Sequence, residues 1–178
     1  KAGLTEPVDV NGIATAAGSF DFPDDDNIKL SWAGIGQADD LVNPCAMMVY
    51  MGAIANEGEA VQPTLIKSAT FIREITGGKS LGRYLEKDTA AELRSMMKNN
   101  VVENYGEENY DGLDIYAKSG TAETGGYNPD AWFVGFTDDE NAPYAFVVWV
   151  KDGGYGSEVA GPIARSVIRT LEADAGGE

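Results

Sequence analysis

The stretch that most restricts the fold is "NPCAMMVYMGAIANEG", residues 43–58, because nearly all of its side chains are apolar. Asn43 is a suitable N-cap, Pro44 fits the first helical position and Gly58 follows the end, so the stretch predicts a helix. A helix that is apolar on every side has no face to turn towards water. We therefore expect it to lie at the centre of a core, with packing partners all round.

The second half of the chain changes to the two-residue period of β-strands. Three runs, "DIYAKSGT", "DAWFVGFTD" and "YAFVVWVKD", are rich in aromatic and β-branched residues, and they predict an antiparallel meander. Two further helices are predicted, one opened by a capping box of Thr89 with Glu92 and one capped by Ser157. Their apolar faces would be Leu93, Met96, Met97 and Val101 in the first helix, and Val159, Ile163, Val167 and Leu171 in the second.

One domain of the α+β class accounts for these elements, with an antiparallel β-sheet packed by helices. A length of 178 residues fits a single domain, and no internal repeat or linker divides the chain. Residues 1–30 are rich in glycine and aspartate and predict a loop-rich lead-in, while residues 31–178 contain the helices, the meander and the closing helix.

Charge and residue inventory exclude several kinds of function. The net charge of −16 repels phosphate backbones, so a nucleic acid is not expected as a partner. Histidine is absent and Cys45 is the single cysteine, which excludes a Ser-His-Asp triad and a zinc site of cysteines and histidines. The acidic "PDDDN" lacks the spacing of a calcium loop. We therefore predict no metal site and no cofactor.

The stretch "IYAKSGTAETGG", residues 115–126, brings a lysine and two hydroxyls to the end of a predicted strand. An isolated strand-end lysine is usually a solvated surface residue. Here, however, an ammonium and hydroxyls would lie on one sheet edge, and Gly120 would let a ligand approach the backbone closely. Such an edge suits a carboxylate at the end of an extended peptide.

Lys118-Ser119-Gly120, followed by Thr121-Ala122-Glu123, resembles the Lys-Thr/Ser-Gly motif of the penicillin-binding protein transpeptidases. The segment "SWAGIGQADDLVNPCAMMVYMGAIANEGEAVQPTLIK", the strand "DAWFVGF" and the helix "SEVAGPIARSVI" are similar to segments of that family in the same order. The likeness runs from residue 31 to 168 and is greatest to the class B, monofunctional enzymes. It implies that the chain is the C-terminal portion of a transpeptidase domain.

The resemblance also implies roles for individual residues. Lys118 would maintain positive potential over the site, the Ser119 and Thr121 hydroxyls would bind a substrate carboxylate, and the Thr121 N–H would be one oxyanion-hole donor. Gly120 and Ala122 would complete the substrate-binding strand. The other blocks have ordinary explanations: Gly34, Gly36 and Gln37 would shape a turn, and Trp132, Phe133 and Phe136 would line the core or a groove.

Two family motifs are missing from the positions where the resemblance requires them. No Ser-x-Asn occurs in the sequence, and the only Ser-x-x-Lys is Ser95-Met-Met-Lys98. Ser95 lies shortly before Lys118, on the polar side of a predicted helix and beyond its first turn, where the helix dipole acts most strongly. We therefore predict that Ser95 is not the nucleophile, and that the acylating serine belongs to an upstream part of the domain.

The resemblance implies a peptidoglycan D,D-transpeptidase that binds D-Ala-D-Ala stem peptides and β-lactams and acts outside the cytoplasmic membrane. Its membrane attachment would come only from an N-terminal segment outside this chain, and its partners would include the upstream part of the domain. Two alternatives stay open. One is a binding or sensor module for stem peptides or β-lactams without turnover, and the other is a β-lactamase or D,D-carboxypeptidase of the same fold.

Overall fold

The computed structural model describes residues 2–20, 25–37, 39–65, 78–139 and 142–175. Along the chain, the elements are β1 (Asp9–Val10), β2 (Ile13–Ala14), α1 (Asn27–Ala33), α2 (Pro44–Ala55), β3 (Glu59–Val61), β4 (Ser80–Arg83), α3 (Lys87–Asn100), β5 (Ile115–Ala122), β6 (Asp130–Thr137), β7 (Ala145–Val150) and α4 (Ala160–Ala175). A π-helical segment (Val101–Gly106) and a 3₁₀ turn (Glu107–Tyr110) connect α3 to β5. Helices pack on antiparallel sheets, so the predicted α+β class is confirmed.

The apolar helix α2 forms as its sequence predicts. The Asn43 side chain accepts a hydrogen bond from the Cys45 N–H at 2.8 Å, and Pro44 begins the helix. Beyond its end, Gly58 has a φ of 93°, a conformation that glycine adopts without steric cost. Every residue of α2 is at least partly buried, since one side packs on Val8 and Ala60 and another on the large sheet. The helix therefore separates two parts of the core.

The three predicted strands form one sheet in the order β5-β6-β7, with antiparallel pairing throughout. β6 is the central strand, and it pairs with β5 from Ala122↔Asp130 to Ile115↔Thr137. Two smaller antiparallel pairs, β1 with β2 and β3 with β4, lie in the first half of the chain. The predicted meander is thus confirmed, and β5 forms one edge of it.

Helices cover both faces of this sheet. On one face, Met51 and Ile54 of α2 and Met97 of α3 pack against Val134 and Phe136. The opposite face carries Ile115, Ala117 and Phe133, and α4 covers it with Ala160, Ala164 and Ile168. Neighbouring residues of each strand point to opposite faces, so one strand contributes side chains to the packed layers on both sides of the sheet.

The two amphipathic helices differ from their predictions. α3 begins at Lys87 with Glu86 as its N-cap, so Thr89 lies inside the first turn and does not cap the helix. α4 begins at Ala160, three residues after the predicted cap Ser157.

The buried face of α4 is also different from the predicted one. Ala160, Ala164 and Ile168 are buried, whereas Ile163 and Val167 are 42% and 51% exposed. Small side chains face the sheet because aromatic rings already fill the space there. A Cβ on Gly161 would lie 2.8 Å from the Tyr110 hydroxyl and 3.5 Å from the Phe133 ring. Hydrophobic periodicity alone predicts that the larger residues are buried. In α4 the smaller residues are buried instead, because only they fit against the aromatic rings.

The lead-in contains two short strands, which fit a loop-rich segment, and the start of a helix that was not predicted. Within residues 1–30, the structure contains the β1–β2 pair and the start of α1, where Asp26 caps the helix by accepting from the Ile28 and Lys29 N–H groups. Residues 21–24, which include part of the acidic "PDDDN", lie outside the described residues.

Phe133 should be the most costly side chain of the sheet to remove. It is fully buried, and its ring lies 5.2 to 6.2 Å from those of Tyr105, Tyr110 and Phe146. We predict that Phe133→Ala lowers the free energy of unfolding by about 3 to 5 kcal/mol, measured by urea denaturation. Tyr127→Ala removes an aromatic ring that is fully exposed and should change stability by less than about 0.5 kcal/mol. Equal losses in the two variants would contradict this account of the core.

Candidate active site

The predicted site residues lie together on β5, at the edge of the sheet that no described strand covers. In an antiparallel pair, the N–H and C=O groups of alternate residues point towards and away from the partner strand. The Ser119 N–H donates to the Tyr105 hydroxyl at 2.6 Å, and the Thr121 carbonyl accepts from Gln37 Nε2 at 3.1 Å. These bonds identify the outward-facing positions as Ala117, Ser119 and Thr121.

The Thr121 N–H therefore points away from β6, and no acceptor among the described residues contacts it. The neighbouring outward-facing groups are occupied, because Asn100 Nδ2 donates to the Ala117 carbonyl at 3.1 Å and Lys118 Nζ to the Ser119 carbonyl at 2.6 Å. The Thr121 N–H is thus left open beside polar groups that already have partners. An open N–H at a sheet edge is suited to bind a carbonyl oxygen or an oxyanion.

A cavity of about 300 Å³ lies beside this edge. Its lining includes residues of β5, the loop after α1, α2 and the neighbouring strand: Ile35, Gly36, Gln37, Asp40, Val42, Met47, Lys118, Ser119, Gly120, Thr121, Ala122, Trp132 and Val134. All five residues predicted for the site are among them. Lys118 is exposed, so its ammonium can reach a ligand in the cavity by rotation of the side chain.

The two hydroxyls of the site each have a partner on the α4 side of the sheet. Ser119 Oγ accepts from the Tyr105 hydroxyl at 3.0 Å, and Thr121 Oγ1 accepts from the Gly156 N–H at 3.3 Å. Both bonds use the hydroxyl oxygen as the acceptor, so each hydroxyl retains its own hydrogen for another partner.

Several residues that no local pattern identified also belong to this site. Gln37 was predicted only to shape a turn, and the turn is present, with a φ of 73° at Gly36. The Gln37 side chain additionally bonds to the Thr121 carbonyl. Asp40 lines the cavity, and both of its carboxylate oxygens are buried without a hydrogen-bond partner among the described residues. Such contacts between distant segments leave no periodic signal in the sequence.

The opposite end of β5 is fixed by α3. Arg94 pairs with Asp138 at 2.6 Å and Lys98 with Asp114 at 2.7 Å, and both cations lie about 5 Å from the Tyr116 ring. Burial raises the pKa of the Tyr116 hydroxyl, and the nearby carboxylates add to the effect. The strand is thus held at one end by ion pairs, while its other end opens onto the cavity.

Ser95, the serine of the only Ser-x-x-Lys, lies apart from these groups. It is exposed on α3, more than two turns after the helix begins at Lys87. It is not among the residues that line the cavity. Its position is consistent with the prediction that it is not the nucleophile.

A family model of the penicillin binding protein transpeptidase domain matches residues 3–169. The chain belongs to this transpeptidase family. The peptidoglycan D,D-transpeptidase PbpA of Mycolicibacterium smegmatis is 31% identical over 160 residues, which are 80% of this chain and 32% of that protein. The PbpA of Mycobacterium tuberculosis is also 31% identical, over 82% of this chain and 32% of that protein. The chain thus spans about a third of the length of these transpeptidases.

Solved transpeptidase structures support the same relationship. The crystal structure of PBPA from Mycobacterium tuberculosis matches with a TM-score of 0.78 at 27% identity, over 96% of this chain and 43% of that one. The same protein as an imipenem acyl-enzyme complex matches with a TM-score of 0.78 at 28% identity, over 94% and 39% of the two chains. The resemblance to the family inferred from the motifs is therefore confirmed.

The backbone of Gly156, in the segment before α4, lies in close contact with β5 and β6. A Cβ at this position would lie 2.3 Å from the carbonyl oxygens of both Gly120 and Trp132. We predict that Gly156→Ala lowers the free energy of unfolding by about 1 to 3 kcal/mol, because these backbone atoms cannot move independently of the sheet.

Gly34→Ala is the matched control, since the added Cβ would meet nothing closer than 3.4 Å. Thermal unfolding of both variants tests the difference. Stability unchanged in Gly156→Ala would show that the segment before α4 does not press against β5 in solution.

Proposed function

We propose that this chain is the later part of a serine D,D-transpeptidase domain that cross-links peptidoglycan stem peptides, and that it supplies the substrate-binding edge. The observation that carries the proposal is the arrangement on β5, where Lys118, Ser119 and Thr121 line one cavity and the Thr121 N–H is open at the same strand edge. Family membership and the PbpA relatives support it.

The substrates would be stem peptides that end in D-Ala-D-Ala, together with β-lactams that imitate them. The PBPA of Mycobacterium tuberculosis, whose structure this chain resembles, has been solved as acyl-enzyme complexes with imipenem and with penicillin G. An extended peptide can lie along an open strand edge, where backbone groups provide the hydrogen bonds. The terminal carboxylate of such a peptide would approach the cation and hydroxyls of β5.

Each site residue would then have a distinct role. Lys118 would stabilise negative charge near the reacting carbonyl, and the Ser119 and Thr121 hydroxyls would donate to the substrate carboxylate. The Thr121 N–H would bind the developing oxyanion. Gly120 and Ala122 have small side chains, and they would leave room for the substrate to lie against the strand.

The reaction would proceed through an acyl-serine intermediate. A serine oxygen attacks the carbonyl of the penultimate D-alanine, the peptide bond breaks, and the terminal D-alanine leaves with a proton on its nitrogen. An amine of a neighbouring stem then attacks the ester and releases the serine. We propose that this serine, its lysine and the Ser-x-Asn motif belong to a part of the domain upstream of this chain.

The site of action would be the outer face of the cytoplasmic membrane. Within the described ranges, no helix has the length and apolar character needed to cross a bilayer. We propose that a segment outside this chain anchors the protein.

Removal of the Lys118 ammonium tests the central role. In the complete transpeptidase domain, we predict that Lys118→Ala slows acylation by a fluorescent penicillin by roughly ten- to a thousandfold, the range for losing one charged partner in a preorganised site. Lys151→Ala is the matched control because Lys151 is an exposed lysine outside the cavity. A normal acylation rate in Lys118→Ala would mean that Lys118 is only a surface residue.

The location of the nucleophile can be tested with the chain by itself. We predict that the 178-residue chain forms no covalent adduct with a penicillin and does not hydrolyse a chromogenic β-lactam, because a hydroxyl without an adjacent base is a weak nucleophile. Intact-mass spectrometry measures the adduct. A mass increase that maps to Ser95 would contradict both the prediction and the proposed division of the site.

A further inference from the structure

The Tyr105 hydroxyl is the centre of a hydrogen-bond network at the free edge of β5. It accepts from the Ser119 N–H at 2.6 Å and from Asn100 Nδ2 at 2.6 Å, and it donates to Ser119 Oγ at 3.0 Å. The Tyr105 ring packs against Phe133 with centroids 5.2 Å apart, which fixes the position of the hydroxyl.

The direction of each hydrogen bond follows from two backbone groups, one of which can only accept and the other only donate. The Ala117 carbonyl can only accept, so the Asn100 amide must turn its NH₂ group towards β5. Asn104 Nδ2 donates to Asn100 Oδ1 at 2.8 Å, which agrees with this orientation. The same NH₂ group then donates to Tyr105, and the Ser119 N–H can only donate to it as well.

These two donors occupy both lone pairs of the Tyr105 oxygen. The tyrosine hydrogen then has one remaining direction, towards Ser119 Oγ. Ser119 is therefore an acceptor on the Tyr105 side, and its own hydrogen has no acceptor among the described residues. A hydroxyl that accepts one hydrogen bond is polarised and becomes a stronger donor in the next one.

We propose that Asn100 and Tyr105 are positioning residues that commit the Ser119 hydroxyl to donate its hydrogen to the carboxylate of the substrate. The inference rests on the proposed function, because it assigns the Ser119 hydroxyl to a carboxylate ligand. If Asn100 did not occupy one lone pair of the Tyr105 oxygen, the Ser119 hydroxyl could rotate and donate to that oxygen instead. The π-helical segment Val101–Gly106 brings Tyr105 to the strand, and such segments occur frequently at functional sites.

The test compares two ligands that differ only in the carboxylate. The complete transpeptidase domain is acylated by a fluorescent penicillin and, separately, by the methyl ester of the same compound. We expect Tyr105→Phe to lower the second-order acylation rate with the acid by roughly tenfold, and that with the ester by less than about twofold, since a hydrogen bond to a charged group is the stronger one.

Tyr110→Phe is the matched control for the lost hydroxyl. Tyr110 stacks on the same Phe133 ring at 5.9 Å, and its hydroxyl makes no hydrogen bond to a described side chain of β5. Both acylation rates should stay unchanged in this variant. In a Ser119→Ala background, Tyr105→Phe should no longer distinguish the acid from the ester.

A second variant tests the same network and keeps the Tyr105 side chain, so its result does not depend on whether the domain folds normally with Tyr105→Phe. Asn100→Ala frees one lone pair of the Tyr105 oxygen, so it should also reduce acylation by the acid more than acylation by the ester. Asn99→Ala, at an exposed position of the same helix, should change neither rate.

Each outcome decides the question. Equal loss with acid and ester would show that the network only supports the strand, and no loss with either would show that it has no role at the site. Both results would overturn the inference while the wild-type domain still reacts, which leaves the proposed function intact. A wild-type domain that reacts with neither ligand would overturn the proposed function as well.

Discussion

The burial of β6 on both of its faces determines where everything else in this domain can lie. Seven of its eight residues, all but Trp132, are buried, which requires a layer of helices on each side of the sheet. The apolar helix α2 covers one face, and α4 covers the other with small side chains against aromatic rings. β5 is positioned by its pairing with this strand, so the precision of the site derives from the packing of β6.

An edge strand normally presents a row of unpaired backbone groups to solvent, which is a risk for aggregation. In β5, side chains from the loop after α1 and from the end of α3 with its π-helical continuation occupy three of these groups. Gln37 bonds to the Thr121 carbonyl, Asn100 to the Ala117 carbonyl and Tyr105 to the Ser119 N–H. The Thr121 N–H is left open beside the cavity. The same bonds that protect the edge therefore determine where a ligand can pair with it.

The sequence was sufficient to predict the strands of the large sheet, the apolar helix and the grouping of Lys118 to Ala122 on one strand. These features depend on local period and on a short motif, both of which are visible in a single chain. The buried face of α4 was predicted wrongly, because Ala160 and Ala164 are selected by the fit to Phe133 rather than by hydrophobicity. The contacts of Gln37 and Tyr105 with β5 could not be predicted, since only the fold brings these segments together.

The acidic charge of the chain places a further demand on the site. The proposed carboxylate ligand would approach a chain of net charge −16, and Asp40 contributes a carboxylate to the lining of the cavity itself. At physiological ionic strength, salt screens charges that lie more than about 8 Å away. The affinity for an anion therefore depends mainly on contacts within the cavity. The nearby donors are the Lys118 ammonium, the Thr121 N–H and two hydroxyls, and only the first of these carries a charge.

Neutral donors attract an anion only over a short distance and only in the correct orientation. A site that depends on them must fix their direction before the ligand arrives. In this domain, Asn100 and Tyr105 direct the hydrogen of Ser119, and the Gly156 N–H bonds to the oxygen of Thr121. Fixed orientation of neutral donors therefore compensates for the unfavourable charge of the surrounding surface, and the network around β5 is the part of the fold that provides it.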